Sequence, residues 1–253
     1  MPTILITGST SGFGKACAEK FATHGYDLIL NGRREDRLEE LCDSLEKRFN
    51  IAAITLPFDV RDEQAVNSSI NNLPVEWKNI DVLFNNAGLA LGRDYFDEAN
   101  LDDWNTMVDT NIKGFAYVAK AVSFLMANRK QGHIINMGSI AGKQVYEKGN
   151  MYCATKFAVD ALNQAMRIDL LRHNIKVTGI HPGAAETEFS MVRFKGDEQT
   201  ARRVYDGLKP LTAEDVADVV FYCASLPAHV CINDITITCL QQADSIYLNR
   251  SPV

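Results

Sequence analysis

Thr3-Ile4-Leu5-Ile6-Thr7-Gly8-Ser9-Thr10-Ser11-Gly12-Phe13-Gly14-Lys15 decides the architecture. A short apolar run passes directly into a turn with glycines at 8, 12 and 14, and a helical stretch then runs from Lys15 to Thr23. Strand, glycine turn and helix in that order open a βα unit. Glycine lets the backbone turn tightly and lets a pyrophosphate approach the helix N-terminus, where unpaired N–H groups and the helix dipole favour negative charge. The spacing Gly-x-x-x-Gly-x-Gly is related to the dinucleotide fingerprint Gly-x-Gly-x-x-Gly without being it, and a glycine-rich turn that binds nothing can read the same way.

The unit recurs along the chain. Strand-sized runs stand at Leu28 to Leu30, Ala53 to Leu56, Val82 to Phe84, His133 to Asn136, Lys176 to Ile180 and Ile235 to Ile237, separated by helical patterns such as Leu38, Leu41, Leu45 and Phe49. Such alternation predicts an α/β fold with a parallel sheet covered on both faces. No linker or charge block divides the 253 residues, so one domain over 1–253 is expected. Phe189 to Lys209, polar and charged, breaks the rhythm and reads as a helical lobe or a solvated excursion. A substrate lid over 187–210 is the expectation carried forward.

Twenty-six basic against 32 acidic side chains give a net charge of −6, so no general field draws the chain to nucleic acid or anionic lipid. The apolar runs are too short to span a bilayer and Met1-Pro2-Thr3 carries no leader pattern, so a cytoplasmic protein without nucleic-acid or membrane partners is expected. The six cysteines, Cys17, Cys42, Cys153, Cys223, Cys231 and Cys239, form no Cys-x-x-Cys pair; buried reduced thiols and no metal are expected.

The second strand ends in Asn31-Gly32-Arg33-Arg34, where an NAD-binding chain would place a carboxylate against the ribose hydroxyls. Two guanidiniums instead suit a 2′-phosphate, so NADP is the expected cofactor, although Arg33 and Arg34 also fit a solvated helix start. Asp59-Val60 would then flank the adenine, and Asn86, Ala87 and Gly88, after the fourth strand, would approach the cofactor closely.

Tyr152 and Lys156, four apart on one helix, share a face, and Ser139 follows the fifth strand, so all three are aimed at the crevice beyond the strand ends. Thr7 to Gly14, Asn85 to Gly88, Asn111, Ser139, Tyr152-Cys153-Ala154-Thr155-Lys156 and Pro182-Gly183 together resemble the short-chain dehydrogenase/reductase family over essentially the whole chain. The resemblance implies a doubly wound Rossmann fold of about seven parallel strands in the order 3-2-1-4-5-6-7. It also implies an NAD(P)-dependent oxidoreductase with the catalytic tetrad Asn111, Ser139, Tyr152 and Lys156. Gly8, Ser9, Ser11, Gly12, Phe13 and Gly14 would cradle the cofactor, Lys156 would hold the nicotinamide ribose, and Pro182, Gly183 and Thr187 would meet the nicotinamide end. Asn111 would hold a water that relays protons to Lys156, and a homotetramer is the family's common assembly.

Hydride exchange at an alcohol carbon needs an acid/base at the oxygen, and Tyr152 is the candidate. Bringing a phenol from about 10 down to neutrality requires about 4 kcal/mol, which a cation about 4 Å away can supply; Lys156 is expected to do so. Ser139 would donate to the developing oxyanion.

Asn85 to Gly92, Thr187 to Asp197 and Leu226 to Val230 resemble the NADP-dependent 3-hydroxy acid dehydrogenases, a subgroup acting on serine, allo-threonine and 3-hydroxypropionate or malonic semialdehyde. Ala184-Ala185-Glu186 and the polar Lys143-Gln144 depart from the pattern and leave the substrate open. An acid substrate needs a cation, and Arg193, Lys195 and Lys143 are the candidates beside Ser139 and Tyr152, each equally able to form a structural salt bridge. The alternatives are a family reductase acting on a 3-oxoacyl thioester or another ketone, and a non-catalytic NADPH sensor, which would be expected to lack a tetrad member.

Overall fold

The computed structural model describes residues 1–250. Of the domain expected over 1–253, residues 251–253 lie outside the described residues. Seven parallel strands, β1 (Thr3–Ile6), β2 (Asp27–Gly32), β3 (Ala53–Pro57), β4 (Val82–Asn85), β5 (Gly132–Met137), β6 (Ile175–Pro182) and β7 (Asp234–Ile237), pair in the order β3-β2-β1-β4-β5-β6-β7. That is the order the resemblance implied. The long helices are α1 (Gly12–Thr23), α2 (Glu35–Phe49), α3 (Glu63–Asn71), α4 (Leu101–Val108), α5 (Phe115–Arg129) and α6 (Asn150–Leu170). Two short helices, α7 (Phe189–Arg193) and α8 (Glu198–Arg203), precede α9 (Ala213–Ser225).

Successive strand residues point to opposite faces, and the chain fills both. Ile4, Ile6, Leu28, Leu30 and Phe84 pack with Cys17, Phe21 and Val220 of α1 and α9, whereas Leu5, Ile29, Leu83 and Ile134 meet Val66, Val118 and Val122 of α3 and α5. Burying both faces of every central strand is what makes Ile4 to Ile6 of β1 and Leu28 to Leu30 of β2 continuous apolar runs, and it leaves the carboxyl ends of the strands as the free rim.

Local signals set the boundaries. Asp62 caps α3 through Ala65 N–H, Asn100 caps α4, and Thr212 and Asp215 form a reciprocal capping box on α9. α2 ends at Asn50 in the left-handed region, with φ of 50°. Between α4 and α5 the chain forms a π turn over Asp109–Gly114, which holds Asn111 and lets Gly114 lie against Val60.

The expected lobe is present and its base is stapled. Ala185 bridges to Leu211, Glu186 N–H donates to Leu211 O, and Leu211 N–H donates to Ala184 O. Tyr205 OH closes the interior against Ala185 O at 2.8 Å and Ser190 Oγ at 2.7 Å.

Candidate active site

A cleft of about 370 Å³ opens over the carboxyl ends of β1, β2, β4, β5 and β6. One end is the glycine turn. Gly8 and Gly12 have φ of +65° and +48°, which side-chain-bearing residues rarely adopt, and a Cβ on Gly14 would stand 2.1 Å from Gly8 O. The turn is held by Asn86, whose Nδ2 donates to Thr7 O at 2.9 Å, and by Thr7 Oγ1, which accepts from the N–H groups of Asn86 and Ala87. The N-terminus of α1 carries no side-chain cap and no acidic residue in its first turn. Orphan N–H donors at a close-approach glycine turn fit a diphosphate.

Arg33 and Arg34 line the same end of the cleft with Thr10 and Gly32. Arg34 Nη2 donates to Thr10 Oγ1 at 3.2 Å, and the Arg33 side chain is 65% exposed. Asp59 does not consume them. It is clasped by Arg61, with Nη2 at 2.6 Å, whereas Arg33 Nη1 stands 4.0 Å off. Burial alone would raise the Asp59 carboxyl, but the Arg61 hydrogen bonds and the charges of Arg61 and Arg33 bring it below its ordinary value. The donor set therefore fits a dinucleotide with an additional phosphate near Arg33 and Arg34. Arg61 was not anticipated; its contact to Asp59 two residues earlier is the signal that could have found it.

The expected cofactor residues separate into two kinds. Gly8, Ser11, Gly12, Phe13, Arg33, Arg34, Asp59, Val60, Asn86, Ala87, Gly88, Pro182, Gly183 and Thr187 all line the cleft. Ser9 is a correction: it is fully buried and its hydroxyl donates to Asn31 O at 3.0 Å, so it ties the turn to β2. Gly14 likewise acts from beneath, by letting α1 approach Gly8.

At the other end stand Ser139, Tyr152 and Lys156. Tyr152 and Lys156 are 8% and 6% exposed, so both are nearly dry. Lys156 Nζ donates to Met137 O at 2.9 Å and lies 6.0 Å from the Tyr152 ring centre, while the Ser139 hydroxyl, which accepts from Ala141 N–H at 3.1 Å, acts to lower the Tyr152 phenol. Asn111 sits behind this group. Its Oδ1 accepts from Leu89 N–H at 2.9 Å and its Nδ2 donates to Leu89 O and Thr155 Oγ1. A Cβ on Gly88 would meet Asn111 Oδ1 at 3.2 Å and Lys156 Nζ at 3.8 Å, so glycine there keeps the space between them clear.

The electrostatics differ from the expectation. Burial lifts the Tyr152 phenol well above its ordinary value, Tyr146 adds to the rise, and the opposing pull comes from Ser139 and Arg193 rather than from Lys156. Burial also draws the Lys156 ammonium down to about 8. Desolvation disfavours the charged form of both groups and outweighs their attraction at this separation. At neutral pH the chain thus presents a protonated phenol backed by a largely protonated amine, an arrangement that can hand a proton to an oxygen.

Of the three candidate cations, only Arg193 reaches this end. Its guanidinium lies 5.4 Å from the Tyr152 ring centre, with Nη1 donating to Tyr146 OH at 2.9 Å and Nε to Gly92 O at 3.2 Å. Tyr146, unanticipated, thereby joins the site. Lys195 is corrected: its ammonium is 2.8 Å from Asp103 Oδ2. Lys143 is corrected too, because its ammonium is committed to Asp160 and Asp234, each at 2.8 Å, behind the Ser139 turn. Phe189 stacks 5.6 Å from Tyr152 and, with Val192 and Leu89, roofs the cleft in apolar surface.

A model of the short chain dehydrogenase family matches residues 2–198. The NADP-dependent 3-hydroxy acid dehydrogenase YdfG of Escherichia coli strain K12 is 44% identical over 241 residues, covering 95% of this chain and 96% of that protein. Sulfoacetaldehyde reductase 2 of Chromohalobacter salexigens is 44% identical over 245 residues, covering 96% of each. Among solved structures, a closed form of serine dehydrogenase complexed with NADP+ superposes with a TM-score of 0.91 at 43% identity, covering 99% of this chain and 100% of that one. No helix among the described residues is long and apolar enough to cross a membrane.

Proposed function

The chain belongs to the short chain dehydrogenase family, and from that premise we propose that it is an NADP-dependent oxidoreductase of short 3-hydroxy acids of the serine, allo-threonine and 3-hydroxypropionate or malonic semialdehyde type. Two lines support the cofactor: the guanidiniums of Arg33 and Arg34 beside a neutral Asn31-Gly32 strand end, and the NADP dependence that YdfG carries in its name. The cofactor supplies the hydride donor or acceptor. Gly8, Ser11, Gly12 and Phe13 would hold its diphosphate, Asn86 to Gly88 its middle, and Lys156, Pro182, Gly183 and Thr187 its nicotinamide end.

In the reducing direction Tyr152 donates the proton to the substrate oxygen as charge develops there, and Ser139 donates a hydrogen bond to the same oxygen. Lys156, charged below about 8, stabilises the phenolate left on Tyr152. Asn111 is assigned the outer end of the relay to Lys156, consistent with both groups facing the space above Gly88. The lobe over 187–210 acts as the lid, bringing Phe189 over Tyr152.

The observation that carries the substrate class is Arg193. A guanidinium 5.4 Å from the Tyr152 ring, with two of its five donors engaged by Tyr146 and Gly92 among the described residues, suits a carboxylate only a few bonds from the reacting carbon. Phe189 and Val192 line the cleft beside Tyr152 with apolar surface.

The test is a spectrophotometric screen with NADP against L-serine, D-serine, allo-threonine, 3-hydroxypropionate, 3-hydroxybutyrate and a bulky secondary alcohol, with malonic semialdehyde and sulfoacetaldehyde in the reducing direction. Turnover of the short acids above the bulky alcohol is the expected result; preference for the alcohol would sink the reading. Arg193→Ala should raise KM for acids by about tenfold, the loss of one half-buried charge-assisted contact of roughly 1.5 kcal/mol, and leave KM for uncharged alcohols nearly unchanged. An equal rise for both would remove Arg193 from anion recognition.

A further inference from the structure

Behind the Ser139 turn lies a polar cluster that the reaction does not use. Asp160 of α6, Asp234 of β7 and His181 of β6 present Oδ1, Oδ2 and Nε2 within 4.8 Å of one another, the spacing of a metal ligand set. The cation position is already filled from within: the Lys143 ammonium stands 2.8 Å from both carboxylates. Lys143 immediately follows the single 3₁₀ turn Ile140–Gly142 that begins at Ser139.

The turn has little strength of its own. Gly142 and Lys143 N–H groups donate to Ser139 O and Ile140 O, and Ser139 Oγ accepts from Ala141 N–H at 3.1 Å, a single turn of bonding. Its start is fixed by Gly138 N–H donating to Ile180 O at 2.8 Å, and its middle rests on α6, where a Cβ on Gly142 would lie 2.5 Å from Lys156 O. On the far side Ser245 Oγ reaches Ile140 O only at 3.4 Å. The charged anchor at the end of the turn is Lys143, bridging to the helix that carries Tyr152 and Lys156 and to the strand beyond. His181 forms the floor: it is fully buried, and a Cβ on Gly138 would meet its Nδ1 at 2.4 Å.

We propose that Lys143 is a positioning residue for the reaction, clamping the Ser139 turn to Asp160 and Asp234 and serving as the cation that lets His181 remain neutral beneath Gly138-Ser139. The inference rests on the oxidoreductase reading. The groups facing His181 are Asp160 from α6, Asp234 from β7, and Lys143 and the Ser139 backbone from the turn. Its Nε2 is 3.0 Å from Asp234 Oδ2 without a well-aligned hydrogen bond. Burial, the largest influence, and the Lys143 charge both favour neutral imidazole, against the two carboxylates and the Ser139 backbone. Removing the ammonium leaves the carboxylates to draw a proton onto His181.

The test uses the full chain. Lys143→Met is expected to lower kcat by about tenfold in oxidation of L-serine with NADP, with the NADPH Kd from fluorescence unchanged. Lys143→Arg should keep more than about half of the parent kcat, and Asp160→Asn should fall between. The His181 ring-proton NMR signal should titrate at higher pH in Lys143→Met than in the parent, with the same displaced ionisation seen in that variant's kcat profile. Equal kcat in parent and Lys143→Met, an arginine variant as slow as the methionine one, or a His181 titration not displaced upward in Lys143→Met each overturns the proposal. A parent that turns over none of the screened compounds fails the oxidoreductase reading instead, and the His181 titration then decides the clamp by itself.

Discussion

Tyr152→Phe is expected to lower kcat/KM by about three orders of magnitude, within the span attributed to a positioned acid or base, while the NADPH Kd stays within about twofold of the parent. The exchange removes one oxygen and little else. The ring keeps its contacts to Phe189, 5.6 Å away, and to the Arg193 guanidinium at 5.4 Å, so no cavity opens. Burial raises the Tyr152 phenol well above its ordinary value, which suits the proposed role of proton source for reduction. The parent's pH profile follows from Lys156. Its charge, present below about 8, is lost as pH rises through that value, and reductive kcat should decline there. In Tyr152→Phe that limb should vanish with the activity. A variant that retains turnover with an unaltered profile would assign the proton to another group.

The second large effect concerns cofactor choice. The parent should bind NADPH at least about 100-fold more tightly than NADH, and replacing Arg33 and Arg34 together by alanine should erase most of that ratio. Two charge-assisted contacts at the low end of their range, roughly 1.5 kcal/mol each because both side chains are exposed, amount to about two decades of affinity. Folding should be spared, since Arg61 still clasps Asp59 at 2.6 Å without Arg33. Fluorescence titration with both cofactors measures the ratio, and equal affinities in the parent would remove the 2′-phosphate argument altogether.

What could be read in advance was what the chain writes locally. The glycine turn, the Tyr152 to Lys156 spacing and the strand-end Ser139 each depend on residues a few positions apart, and periodicity carries those relations directly. The fates of Lys143 and Lys195 depended on partners far along the chain, Asp234 and Asp103, and nothing in a charge pattern says which distant carboxylate will claim an ammonium. Ser9 was counted with the cofactor cradle on the resemblance alone, and only the depth of the turn turns its hydroxyl toward Asn31 O. The π turn at Asp109–Gly114 escaped because one widened turn barely disturbs a helical pattern. The influence of Lys156 on Tyr152 was overestimated for a different reason: spacing on a helix conveys proximity, whereas burial, which decides this pair, is a property of everything packed around it.

The pairing of Ala185 with Leu211 bears on how this catalyst can diversify. Because the two ends of the lobe are pinned to each other, the intervening stretch is a closed loop whose length adds only slowly to the entropic cost of folding. Changes there in length or sequence need not propagate into β6 or Pro182, provided that Thr187, Phe189 and Val192, which line the cleft, are kept. Substrate preference can therefore drift while the glycine turn, Ser139, Tyr152 and Lys156 stay in place. Grafting residues 188–210 from a relative with a different substrate onto this chain, with Thr187 kept, should carry that relative's selectivity with it.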